Sequence, residues 1–316
     1  MATATGTQSG EASGHAVAAD LIAVLVAVTG GQPRVMTVQN GSTLPSGPFA
    51  HNDRSLQSGL RSWVEQQTHH PLGYVEQLYT FADRDRTTAG VRVISISYLA
   101  LTREGRDEGT ASGWRDWYGY FPWEDHRDGP PKYLRDLIVP QLRLWAKAPE
   151  ERAQQRDRWR RVTIGFGLDD RPWNEDLILQ RYELLYEASL VTEAPHRREG
   201  NDAPPIPGQS MLFDHRRILA TGIARLRAKI KYRPVVFELM PPSFTLLQLQ
   251  RSVEALAGGL VHKQNFRRLI EQQDLVEETG AVAEDTGGRP AKLFRYRRDI
   301  VEERAVAGTK LPLAKT

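Results

Sequence analysis

The chain of 316 residues carries no cysteine, which excludes disulfides and thiolate metal sites and is compatible with a reducing cytoplasm. Its composition, 40% hydrophobic and 26% charged, is that of a soluble globular protein with length enough for two domains, each burying its own core. Net charge is only +3, and no apolar run approaches the roughly 20 residues that a bilayer requires, so no membrane span is expected and the average charge says little about a polyanionic partner.

In chain order, residues 1–15, rich in Ala, Thr, Gly and Ser, have little to bury and are expected to form a disordered tail. From 16 to 191, β-branched runs mix with helical patterns, the mark of a mixed α and β domain. "LIAVLVAV" (21–28) lacks the basic flank and small-residue cleavage site of a signal peptide and suits a buried strand. "LRSWVEQQTHH" (60–70) reads as a helix with Leu56, Leu60, Trp63 and Val64 inward. In "FADRDR" (81–86), Arg84 and Arg86 offer two guanidiniums that can clamp a phosphate, although charged surface loops are common. Trp114, Trp117, Tyr118, Tyr120 and Trp123 crowd the run from 113 to 123; they could stack on a purine, but such clusters more often form core. His126 beside Glu124 and Asp125 lacks a further ligand at convincing spacing, so no metal is expected there. "YLRDLIVPQLRLWA" and "NEDLILQRYELLYEASLV" read as helices, and the charged stretch from 150 to 170 between them as a solvated one. The Pro/Gly/Asp-rich interval that follows gives a linker over 192–213, and no internal repeat is present.

The segment 214–300 has a different pattern. Asp214 can cap a helix with Leu219, Ile223, Leu226 and Ile230 on one stripe, opposite Arg216, Arg225, Arg227 and Lys229. Ser243 or Thr245 can start a second helix that ends at Gly258-Gly259. The turn leads into "HKQNFRRLIEQQ", with Phe266, Leu269 and Ile270 inward, and two short strand patterns then flank Gly287-Gly288-Arg289-Pro290. Helix, glycine turn, polar-basic helix and basic-tipped hairpin make a winged helix-turn-helix. A helix of that kind fits the major groove while the tip reaches phosphates or the adjacent minor groove. Residues 214–298 hold 16 Lys/Arg against 9 Asp/Glu, a net +7 that the chain average hides. Lys263, Gln264, Asn265, Arg267 and Arg268 are the expected groove residues, and Arg289 and Lys292 those of the wing. Residues 301–316 are left as a C-terminal tail.

"FDHRRILATGIARLRAKIKYRPVVFEL", "FTLLQLQRSVEAL", "KQNFRRLIEQQDLVE" and "GGRPAKLFRY" together resemble the C-terminal half of the Nudix-related transcription regulators of NAD metabolism, the NrtR and NadQ type. The likeness extends upstream through "GYVEQLYTFADRDR" and "VISISYLAL", which resemble the central strands and ligand loop of a Nudix half; the length and strongly altered Nudix box are closer to NadQ. The resemblance implies an α+β chain, an N-terminal Nudix-like α/β/α sandwich with a degenerate Nudix box and a C-terminal winged helix-turn-helix. It further implies a cytoplasmic homodimer that binds palindromic double-stranded operators near NAD biosynthesis genes, as a repressor by analogy.

An active Nudix box reads G-x5-E-x7-R-E-U-x-E-E-x-G-U, with U a bulky aliphatic, and places carboxylates on successive helical turns to hold Mg²⁺. Aligned on Gly47, this chain has Asp53 for the first Glu and Arg61 for the Arg; from the helix's carboxylate cluster only Glu65 survives, and Thr68 and His69 replace the Gly and the aliphatic. Catalysis is therefore not expected and no cofactor is required. The scaffold either keeps no chemistry or cradles an adenine nucleotide (ATP, NAD or ADP-ribose) through Arg61, Glu65, Gln66, Arg84 and Arg86. The competing expectation is a nucleotide pyrophosphohydrolase with a nucleic-acid-binding tail.

Overall fold

The computed structural model of the protein describes residues 17–70, 72–82, 87–88, 91–104, 113–194, 206–283 and 290–297. Strand β1 (Val17–Thr29) turns at Gly30-Gly31, both at positive φ, into β2 (Gln32–Thr37). β3 (Ser46–Pro48) returns antiparallel to β1, and helix α1 (Leu56–Thr68) follows it. β4 (Tyr74–Phe81), β5 (Thr87–Thr88), β6 (Val91–Leu101) and β7 (Gly113–Asp116) complete the sheet among the described residues. Its order is β4-β6-β1-β2-β7, with β3 also on β1 and β5 on β6. β1 and β6 run parallel from Val17 opposite Arg92 to Val26 opposite Leu101, and every other pair is antiparallel. β6 is central as expected, whereas β4 lies at an edge.

The two-residue period of β1 divides its side chains between two cores. Leu21, Ala23, Leu25 and Ala27 meet Leu60 and Val64 of α1; Ile22, Val24 and Val26 face the other layer. That layer holds α4 (Ile178–Glu187) and α5 (His215–Ile230), preceded by α2 (Val139–Lys147) and α3 (Arg152–Phe166). A π-turn over Leu134–Ile138 leads into α2, where Pro140 has no N–H to continue a regular ladder. On the inner face of α5, a Cβ at Gly222 would lie 2.8 Å from Cγ1 of Val24, so the helix approaches the sheet as closely as it does only because that residue is glycine.

α5 departs from expectation. Leu219, Ile223 and Leu226 are buried as expected, but so are Arg216, Arg227 and Lys229, which the sequence pattern puts on a solvent face; of the four cations only Arg225 is exposed. The sheet, α4 and α6 (Leu246–Ala257) cover most of the helix, and Arg216, Arg227 and Lys229 fall on the covered sides. The aromatic run joins the same core: Trp117, Tyr120, Phe121 and Trp123 are fully buried, with Phe121 edge-on to both Trp123 and Tyr182.

Beyond α5, Thr245 caps α6 in a reciprocal box with Gln248, and Gly258 ends the helix at φ +74°. α7 (Lys263–Gln272), β8 (Val276–Ala283) and β9 (Ala291–Tyr296) complete the C-terminal unit, and a bridge between Phe244 and Phe294 ties the start of α6 to the hairpin. Apolar packing is continuous from the sheet through α5 to Leu249, Leu256, Phe266 and Ile270.

Candidate functional site

The amphipathic period of α7 sends Phe266 and Ile270 into the core and leaves Lys263, Gln264, Asn265, Arg267 and Arg268 exposed. Among the described residues none of these five side chains has a hydrogen-bond or ion-pair partner. Their donors face water on one side of a short, rigidly seated helix, and a duplex is a polyanion that such donors can neutralise with release of counterions. The hairpin behind it is less open. Lys292 pairs with Glu278 at 2.8 Å and Arg297 with Asp274 at 2.7 Å, while Arg295 pairs with Glu277. Exposed pairs of this kind contribute only about 0–1 kcal/mol each, so Lys292 can exchange its carboxylate for a phosphate at little cost. Arg289 lies outside the described residues.

The turn ahead of α7 is clamped by the other half of the chain. The C-terminal carbonyls of α6, which a helix leaves unsatisfied, are taken up from outside: Tyr118 Oη donates to Ala255 O at 2.7 Å, Arg227 Nε to Leu256 O at 2.9 Å and His126 N to Gly258 O at 2.7 Å. Behind them sits a carboxylate that sequence reasoning weighs only as a possible metal ligand. Glu124, fully buried, accepts from Nε and Nη2 of Arg181 at 2.5 and 2.7 Å and from Nη1 of Arg227 at 2.7 Å. Burial pushes the Glu124 carboxyl up, but the two guanidiniums outweigh it and hold the group below its ordinary value of 4.5. Arg181 also reaches Gly165 O and Asn174 O, and stacks on Trp173 with its guanidinium carbon 3.8 Å from the ring centre. The only sequence signal was charge inside apolar runs, "FPWEDH", "LILQRYELL" and "IARLRAKI". That signal marks a buried pair without saying which charges meet.

α1 carries the altered Nudix box. Ser55 and Ser58 form a capping box at its start, and Leu60 and Val64 are buried while Leu56 and Trp63 are half-buried. Gly47 is needed because Trp63 lies over it, a Cβ there falling 2.2 Å from the indole; the ring's Nε1 donates to Pro48 O at 2.8 Å. Gln67 grips Ser46 through both its amide groups. The sharp exit that a Nudix box assigns to glycine is made by His69 in the left-handed region, φ 52°. Arg61 donates to the carbonyls of Leu72 and Gly73, which closes the loop after the helix, and Glu65 and Gln66 are exposed. Asp53 accepts from Ala50 N at 2.8 Å. These residues do not fit a hard divalent cation: Glu65 is the one carboxylate on α1, and Asp53 is engaged in its own turn. Arg84 and Arg86 lie outside the described residues. The buried aromatics of 114–123 have no face free for a purine.

A sheet of this order with α1 across one face is a Nudix-like fold, and α6, glycine turn, exposed basic α7 and hairpin form a winged helix-turn-helix; the chain joins the two. Residues 236–296 match the NrtR DNA-binding winged helix domain, so this domain is of the NrtR type. Over 86 residues the chain is 40% identical to the ADPR responsive transcriptional repressor NtrR of Acinetobacter baylyi, a stretch that is 27% of this chain and 34% of that protein. The chain thus spans about a third of the length of the curated relative it matches. The fold is similar to that of Shewanella oneidensis NrtR crystallised with a 27mer DNA, over 90% of this chain and 95% of that one, with TM-score 0.54 and 20% identity. It is also similar to a MutT/nudix family protein from Enterococcus faecalis, over 89% and 87%, with TM-score 0.52 and 15% identity. The winged helix is thus of the NrtR type, and the chain as a whole shares the fold of these Nudix-containing proteins. No helix among the described residues is long and apolar enough to cross a membrane.

Proposed function

We propose that the chain is a DNA-binding transcriptional regulator, a repressor of NAD biosynthesis genes, whose Nudix-like domain senses an adenine nucleotide without hydrolysing it. The observation that carries this reading is α7: five exposed donors without partners among the described residues, on the helix that a winged helix offers to the major groove. Of the three nucleotides considered, ADP-ribose is favoured, because the Acinetobacter relative is named for its response to it. A homodimer matches a palindromic operator, since a two-fold protein presents its two recognition helices to two equivalent half-sites. Lys263, Gln264, Asn265, Arg267 and Arg268 enter the groove, with Lys292 and Arg289 on the flanking backbone. Arg61, Glu65, Gln66, Arg84 and Arg86 are the candidate nucleotide-binding residues.

The nucleotide acts by preferring one arrangement of the two halves, and it can shift DNA affinity only by that preference; DNA must change nucleotide affinity by the same factor. The clamp of Glu124, Tyr118 and His126 on the end of α6 supports rigid transmission, because a shift of the aromatic segment carries the turn before α7 with it.

The test is anisotropy of a labelled palindromic duplex from the gene's own upstream region. Arg267→Ala with Arg268→Ala is expected to weaken binding at least tenfold and to flatten its salt dependence by roughly 0.9 in log-log slope for each phosphate that is no longer neutralised. Unchanged binding would mean that α7 is the wrong helix. The hydrolase alternative is checked by incubating the protein with Mg²⁺ and ADP-ribose: turnover at ordinary enzyme rates that Glu65→Gln abolishes would overturn the non-catalytic reading.

A further inference from the structure

A cleft of about 560 Å³ opens between α7, the end of α5 and the short turn of Val235–Leu239. Its volume is within the roughly 300–1,000 Å³ of small-molecule sites. The floor is apolar: Val236, Phe237, Phe266, Ile270 and Leu275 are each buried to over 90%, with Val253 half-buried beside them. The polar part of the lining is cationic and amidic, with Arg233, Arg268 and Asn265, and among the described residues no Asp or Glu lines the cleft. Lys231, also in the lining, is already engaged by Glu175 and Asp176. Arg233 and Arg268 are exposed, and their guanidiniums have no hydrogen-bond or ion-pair partner among the described residues.

We propose that this cleft is a second ligand site, separate from the Nudix-like face, that takes a small organic anion: an apolar ring or chain on the floor and a carboxylate, sulfonate or phosphate head between Arg233 and Arg268. Charge complementarity selects the sign of the occupant, since two free guanidiniums with no acidic neighbour in the lining repel a cation and leave a neutral body without its strongest interaction. The apolar floor selects a body, since a bare inorganic anion gains nothing from Phe237 and Phe266. Arg268 and Asn265 also belong to the face assigned to DNA, so an anion here competes with the duplex; that consequence rests on the DNA-binding reading, whereas the site itself does not.

The experiment uses the full chain and two dyes, anilinonaphthalene sulfonate and phenylnaphthylamine, which share an aromatic body and differ in the sulfonate. The anionic dye is expected to saturate at one per chain and to bind at least tenfold tighter than the neutral one. Arg233→Gln with Arg268→Gln is expected to remove that preference, and Val253→Trp, which fills the floor, to abolish binding of both dyes. Thermal unfolding of each variant identifies those that keep the fold, and only these are scored. Equal affinity for the two dyes, or a preference unchanged in both variants, overturns the site. Displacement of bound dye by the palindromic duplex supports competition with DNA. Dye retained on the DNA complex overturns the competition and leaves the site standing, and dye displacement without sequence preference supports the site while counting against the specific operator reading.

Discussion

Helices α5 and α7 carry cationic side chains at similar density and use them in opposite ways. On α5, Arg216 and Arg227 are buried and joined to Glu193 and Glu124, and Lys229 to Glu76. On α7, Lys263, Arg267 and Arg268 are exposed and have no partner among the described residues. A buried charge must be paired because its desolvation is costly, so these three α5 cations are fixed parts of the fold. An exposed unpaired charge costs little while waiting, and remains available to a phosphate. The same residue types therefore serve as cement in one helix and as a binding surface in the other.

The largest test of that contrast is Glu124→Gln, which leaves Arg181 and Arg227 buried without a carboxylate. It should lower the unfolding free energy by about 3–5 kcal/mol in chemical denaturation. The wild type should show the matching pH dependence: the Glu124 carboxyl is held below its ordinary value of 4.5, so its contribution is present above that pH and is lost as pH falls through the lower folded value. An acid limb equally steep in Glu124→Gln would show that other carboxylates dominate.

A smaller effect is expected at Gly258. Its φ of +74° disfavours any side chain, and a Cβ would lie 2.3 Å from the carbonyl oxygen of Glu124, so Gly258→Ala should cost about 1–3 kcal/mol and displace the turn that seats α7. A loss of DNA affinity larger than the loss of stability explains would sharpen the case that this turn links the halves. On α7 itself, Arg267→Ala with Arg268→Ala should leave the unfolding free energy within about 0.5 kcal/mol, by the rule for exposed positions. A large destabilisation would break the comparison. The smallest effect belongs to Lys292→Ala, which removes the exposed pair with Glu278 and should change stability by less than about 1 kcal/mol while reducing the salt slope of DNA binding by roughly 0.9.

Much of the fold was legible because local rules dominate there. Thr245, Gln248 and Gly258 announce the bounds of α6, and "LIAVLVAV" reads as a strand covered on both faces. The alternation of Phe266 and Ile270 with basic residues makes α7 amphipathic in any context. The altered Nudix box was equally plain, since losing carboxylates is a matter of residue identity. The cationic face of α5 was misread: helical periodicity separates apolar from polar, but it cannot tell a polar residue facing water from one facing a buried partner.

The sequence by itself determined the elements, the order of helix, turn, helix and hairpin in the C-terminal unit, and the exposure of the α7 donors, because each follows from neighbours a few residues apart. Only the tertiary structure decided that Glu124 meets Arg181 and Arg227, that Tyr118, Arg227 and His126 receive the last carbonyls of α6, and that Arg61 closes its own loop. The first two join residues 29 to 137 positions apart, and long-range pairing of that kind is set by how layers stack, information that no local spacing contains.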